Sequence, residues 1–144
     1  MPYRIVEHTA DVGIEATGPD AGTALADAGT GLASLLVDRD DPRDLRPDRE
    51  LDLEVEAPDL PALAVAFLSE LLWRLESEDV LWISGGAEVE EDGQGMWRAR
   101  AHGNAVDYDP ARHGEGVEVK AVTYHDLVFE EKAGGWRLKV LLDV

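Results

Sequence analysis

Apolar and polar residues alternate at the start of the chain and again through its last third, with helical spacing in between. In "YRIVEHT" and "DVGIEAT" the alternation, with Val12, Ile14 and Ala16 on one side, predicts one or two short strands. "GPD" reads as a turn, and Asp20 as the N-cap of a helix running to about Val37. Leu25, Ala28, Leu32, Leu35 and Leu36 fall on one face of that helix. Gly22, Gly29 and Gly31 each weaken it by up to about 1 kcal/mol against alanine, and would let another backbone approach closely. "DRDDPRDLRPDRE" is a charged, proline-broken loop, and "LDLEVEA" is a strand with one buried face. "PDLP" opens a second helix, with Asp59 as cap and Pro61 in the first turn. Its stripe is Leu60, Leu63, Ala64, Phe67, Leu68, Leu71, Leu72 and Leu75. "VLWISGGAEVE", "GMWRARAHG", "EVKAVTYHDLVFEE" and "WRLKVLLDV" follow as strands, with hairpin turns at "EDGQG" and "KAGG". This order predicts a single α+β domain over residues 1–144, two helices packed on largely antiparallel sheet or sheets. The run of strands at the end argues against a doubly wound parallel sheet.

Composition narrows the function. An apolar fraction of 44% and a charged fraction of 31% are those of a soluble globular chain. No cysteine is present, which removes disulfides, zinc–thiolate sites and thiol nucleophiles. "MPYRIVEH" has no basic region followed by an apolar run, and "LPALAVAFLSELLWRL" is broken by Ser69, Glu70 and Arg74. No signal peptide and no membrane span are expected, and the protein is expected to be cytoplasmic. The net charge of −18 would repel a phosphate backbone, so direct nucleic-acid binding is not expected. A basic protein partner or a cation fits better; service to solubility fits as well.

The candidate chemistry is sparse. "EHTADVGIEA" packs Glu7, His8 and Asp11 into five residues, and the chain closes on "VLLDV", an apolar run followed by Asp143. If the first strands lie beside the last, Asp11 approaches Asp143. Two adjacent carboxylates repel unless one protonates or a cation sits between them. An all-oxygen site favours Ca²⁺, Mg²⁺ or Mn²⁺ over zinc, with the remaining positions filled by carbonyls, water or a partner. The alternative is that both aspartates are ordinary strand-end residues. In "GVEVKAVTYHDLVF", alternation puts Val117, Val119, Ala121, Thr123 and His125 on one face. It puts Glu118, Lys120, Val122, Tyr124 and Asp126 on the other. Lys120 could neutralise a carboxylate or bind phosphate, or be a surface lysine lying along apolar neighbours. His8 and His125 could meet across strands, or be structural. No serine sits in a nucleophile elbow. "GTGLASL" lacks the lysine and spacing of a phosphate loop, and "GGAEVEEDGQG" reads as a turn. The tryptophans at 73, 82, 97 and 136 read as core and strand packing.

"EHTADVGIEA", "VEVKAVTYHDLVF" and "GWRLKVLLDV", with "LPALAVAFLSELLWRLESEDVLW" and "AHGNAVDYDPARHGEGVEVKAVTYH" between them in the same order, resemble the archease family along essentially the whole chain. The resemblance implies an accessory protein that activates an RtcB-type RNA-splicing ligase. Such a protein promotes the GTP-dependent guanylylation of that ligase and its multiple turnover. It further implies a divalent metal site, with Ca²⁺ first and Mg²⁺ or Mn²⁺ as alternatives, involving Asp11, Asp143 and Val144. Lys120, the lysine of KAVTYH, is implied in activation. The chain departs from the family where Gly103-Asn104 replaces a common Gly-Glu, and in its greater acidity. A small metal-dependent hydrolase using Asp11, Asp143 and His8, or a general chaperone, are the competing expectations.

Overall fold

The computed structural model describes residues 2–7 and 11–144. The expected continuation of the first strand through His8 and Thr9 lies outside the described residues. Seven strands and three helices follow in the order β1 (Tyr3–Glu7), β2 (Asp11–Gly18), α1 (Ala21–Leu36), β3 (Arg49–Ala57), α2 (Leu60–Glu78), β4 (Val80–Glu91), β5 (Trp97–Asp107), α3 (Pro110–His113), β6 (Ala121–Lys132) and β7 (Gly135–Asp143). They form two antiparallel sheets. One has four strands in the order β1-β2-β7-β6, the other three in the order β3-β5-β4. The α+β reading therefore holds, as two sheets around two long helices. The single turn α3 is an addition.

Both helices start where the sequence places them. The Asp20 carboxylate accepts the Thr23 N–H at 2.7 Å, and that of Asp59 accepts the Ala62 N–H at 2.8 Å. Each thereby satisfies one of the orphan donors of a first turn. α2 buries the expected stripe, Leu63, Ala64, Phe67, Leu68, Leu71 and Leu72, and ends on Asp79 in the left-handed region at φ 55°.

α1 differs from the one-faced helix expected. Burial runs around its whole circumference, from Ala24 and Leu25 to Ala26, Thr30, Ala33 and Ser34, and Leu35 is among its least buried residues. The reason is that α1 packs on both sheets, against β4 and against β2, β7 and β1. A helix covered on all sides has no polar face to keep. Its glycines mark the two contacts. A Cβ on Gly22 would lie 1.8 Å from the Ala87 carbonyl oxygen of β4, whereas one on Gly31 would press on Ile14 and Tyr3 of the other sheet.

Two further readings are corrected. "GGAEVEEDGQG" is not a turn: β4 continues through Glu91, and reversal happens only over Asp92–Met96, where the Asp92 carboxylate accepts the N–H groups of Gln94 and Met96. Of the tryptophans, Trp82 is buried and stands edge-on to Phe67 at 5.9 Å, but Trp73 on α2 is 52% exposed.

Candidate functional site

The chain's two ends meet in the four-stranded sheet. β2 and β7 pair antiparallel along their full length, and the register sets Asp11 directly opposite Asp143. β6 lies on the other side of β7 and sets Ala121 opposite the same Asp143. Residues directly opposite on antiparallel strands share a face. Asp11, Asp143 and Ala121 therefore form one row across three strands. Leu142 and Val12, one position along, face the core side, where Leu142 is fully buried. Val140, Leu138, Ile14 and Ala16 continue that buried face, which holds the last strand in the sheet interior.

Opposed Cβ atoms in such a pair are roughly 4.5–5.5 Å apart, and like charges directly opposite are destabilising. Asp11 is half-buried and Asp143 exposed. Neither has an ion-pair partner among the described residues. Among the described residues the row is therefore two carboxylates facing each other without a neutralising side chain, an arrangement that hard cations suit. No third His, Asp or Glu joins them among the described residues. The donor set fits a hard divalent ion only if main-chain oxygens, water or a partner complete the shell. His8, and the side chain of Glu7, lie outside what the structure describes.

Lys120 adjoins this row through its backbone: its N–H donates to the Asp143 carbonyl at 2.7 Å. Its side chain is exposed and makes no ion pair among the described residues. The expected even alternation over 116–129 does not hold. β6 begins only at Ala121, Val117 is 42% exposed while Val119 is buried, and His125 is exposed. Two features displace the pattern. Residues 114–120 run as a strap over the C-terminal end of α1, where Gly116 and Val117 donate to the carbonyls of Leu36 and Leu35 at 2.8 and 3.0 Å. These bonds satisfy acceptors that a helix end leaves open. A Cβ on Gly116 would lie 1.9 Å from the Leu35 carbonyl oxygen, so only glycine lets the strap lie this close. Beyond it, a bulge between Thr123 and Val128 pushes Tyr124, His125 and Asp126 outward, with Asp126 at φ 53°. There His125 pairs with Asp126 at 3.3 Å. The strap was missed in the sequence, although the Gly114-Glu115-Gly116 run, which breaks the alternation, was its signal.

Asn104 is remote in topology from the carboxylate row. It lies on β5 of the three-stranded sheet, with its amide toward the Ser84 hydroxyl at 3.5 Å. The outer face of that sheet is a charge ladder. Arg98 and Arg100 on the central strand pair with Glu54 and Glu56, and His102 hydrogen-bonds closely to Asp52. That bond and the Asp52 charge, with Glu50 beyond, hold the His102 imidazole above its ordinary value.

The sequence model of the Archease protein family matches residues 3–144. A protein archease from Pyrococcus furiosus is 34% identical over 140 residues, covering 96% of this chain and 95% of its own. One from Methanopyrus kandleri is 31% identical over 144 residues, covering all of both chains. Among solved structures, the solution structure of protein 1598 from Methanobacterium thermoautotrophicum superposes with a TM-score of 0.77 at 23% identity, covering 99% of each chain. A Thermotoga maritima archease, described as a possible chaperone, superposes at 0.53 and 22% identity. At these identities the two structures speak for the fold.

Proposed function

We propose, because this chain belongs to the archease family, that it is an accessory protein and activates an RtcB-type RNA-splicing ligase, promoting that ligase's guanylylation and repeated turnover. The observation that carries the reading is the convergence at one end of the four-stranded sheet. Asp11 stands opposite Asp143, and the Lys120 backbone is tied to Asp143. Asp11, Asp143 and main-chain oxygen at Val144 would hold a divalent ion, Ca²⁺ first, with Mg²⁺ or Mn²⁺ as alternatives. Such an ion, when bound, supplies positive charge that would offset the facing carboxylates and could polarise a phosphate in a partner's active site. The residues themselves do the rest. The row presents two carboxylates at an exposed strand end, and the strap fixes the Lys120 main chain, so its ammonium group is free to meet an anionic group on the partner–nucleotide complex. The absence of a nucleophile elbow or phosphate loop in the sequence suits an accessory role, and the acidic surface suits a protein partner over RNA.

The test is RNA ligation with a limiting amount of the cognate ligase, GTP and Mn²⁺, with ligase guanylylation followed in the same reactions. Wild-type protein is expected to raise the number of turnovers per ligase. Asp143→Ala is expected to lose that effect while keeping the melting temperature within a few degrees of wild type. Full activation by Asp143→Ala would overturn the site assignment, and no activation by wild type at any ratio would overturn the ligase reading.

A further inference from the structure

A groove of about 500 Å³ opens between the C-terminal half of α2 and the strap that leads into Lys120. Leu72, Leu75 and Val119 form its apolar floor, and Val117 stands 42% exposed on its wall. Three carboxylates line it: Glu76 from α2, and Glu115 and Glu118 from the strap. None of the three has an ion-pair partner among the described residues, and no lysine or arginine lines the groove. The contrast with the larger cavity on the three-stranded sheet is informative. There Asp52 and Glu54 are engaged by His102 and by Arg98 and Arg100, which leaves Glu88 as the one lining carboxylate without an ion pair among the described residues. The groove beside α2 offers uncompensated negative charge around apolar surface.

We infer that this groove is a docking site for a basic, apolar-anchored peptide segment of the protein partner, with leucine-like side chains on the floor and lysine or arginine against Glu76, Glu115 and Glu118. The inference rests on the reading that the chain works on a protein partner. Charge complementarity selects the occupant. A second copy of a chain with net charge −18 would bring like charge to an acidic rim, and RNA would bring phosphates. A small polyamine would match the rim but leave the apolar floor uncovered. The groove also has a positional consequence. Its strap wall continues directly into Lys120, so a segment seated there lies beside the carboxylate row and orients that end of the sheet toward the same partner.

The test uses the isotopically labelled full chain and NMR. The probes are a short leucine–lysine peptide in helical register, its leucine–glutamate counterpart, and spermine. The leucine–lysine peptide is expected to shift the amides of Leu72, Glu76, Val117 and Glu118. Its affinity is expected to fall about tenfold in the Glu76→Gln/Glu115→Gln/Glu118→Gln protein, and severalfold in Val117→Ser, which removes apolar surface and no charge. Shifts centred elsewhere, an unchanged affinity in the triple variant, or spermine binding as tightly at the same amides would each overturn the inference. A concentration-dependent dimer of the wild type that the triple variant lacks would do so too, since a second copy would then be the occupant. Asp143→Ala is expected to bind the peptide as wild type does. Peptide binding without ligase activation in the wild type therefore sinks the ligase reading alone, whereas activation that survives loss of the groove sinks the groove alone.

Discussion

Glu15 shows how a single residue reports on the sheet that carries the candidate site. Its side chain is 14% exposed on β2 and accepts from Arg137 at 3.2 Å and Arg4 at 3.3 Å, so three strands are tied by one carboxylate. Burial pushes the Glu15 carboxyl up, but the hydrogen bonds and charges of Arg137 and Arg4 outweigh it and hold it below its ordinary value near 4.5. A carboxyl with a depressed folded-state value stabilises above its unfolded value, and that contribution is lost as pH falls through the folded one. Glu15→Gln is therefore expected to cost about 1 kcal/mol at neutral pH, with the gap narrowing as pH falls below the ordinary value of 4.5. Urea denaturation of both proteins across pH 3–7 checks this; a gap that stays constant as pH falls through that range would mean packing and not charge. Two rows along, Asp11 and Asp143 face each other with no such arginine. Among the described residues, then, the fold compensates Glu15 with two arginines and gives Asp11 and Asp143 no ion-pair partner.

At the scale of the element, α1 sets local propensity against packing. Gly22→Ala would gain about 1 kcal/mol in helix propensity. The added Cβ would sit 1.8 Å from the Ala87 carbonyl, a backbone atom that cannot swing aside, and overpacking of this kind costs about 1–3 kcal/mol or more. Packing wins, and the variant is expected to melt lower than wild type. Gly93→Ala, in the β4–β5 turn with nothing within 4 Å of the new Cβ, is expected to leave the melting temperature nearly unchanged. A stabilised Gly22→Ala would show that the helix does not approach β4 as closely as described. The same element explains a misreading. Leu25, Ala28 and Leu32 on one face were legible as apolar, but Thr30, Ser34 and the glycines look polar or neutral, and only the second sheet explains their burial.

Over the whole molecule, acidic residues outnumber basic ones 31 to 13. Arg4, Arg43, Arg49, Arg74, Arg98, Arg100 and Arg137 are each already engaged with a carboxylate. The surplus negative charge repels itself in the folded state, and salt screens it, the Debye length shrinking from about 30 Å at 0.01 M to about 8 Å at 0.15 M. The melting temperature is expected to rise by several degrees over that range of NaCl. CaCl₂ at matched ionic strength is expected to add a further rise in wild type, through preferential binding to the folded chain, and none in Asp143→Ala. Equal effects of the two salts on wild type would leave screening as the whole explanation and remove the cation from the carboxylate row.

Much of this protein was readable along the chain because the information is local. Period-two alternation marks β2 and β3, the 3.6-residue stripe marks α2, Asp20 and Asp59 cap their helices through bonds three residues ahead, and "KAGG" closes a hairpin. Each depends on a few neighbouring residues, so a linear reading captures it. Composition was local information too: a chain without cysteine holds no thiolate site, and 31 acidic against 13 basic residues set its net charge at −18. What only the tertiary structure decided depends on residues far apart in sequence. Asp11 meets Asp143 because β2 pairs with β7 in one register, and a slip of a single residue would have put them on opposite faces. Lys120 falls just outside β6 because Gly116 and Val117 satisfy the last carbonyls of α1, a demand set by a helix end about eighty residues earlier. The groove beside α2 arises from the same strap, which no periodicity in Glu115–Val119 foretells.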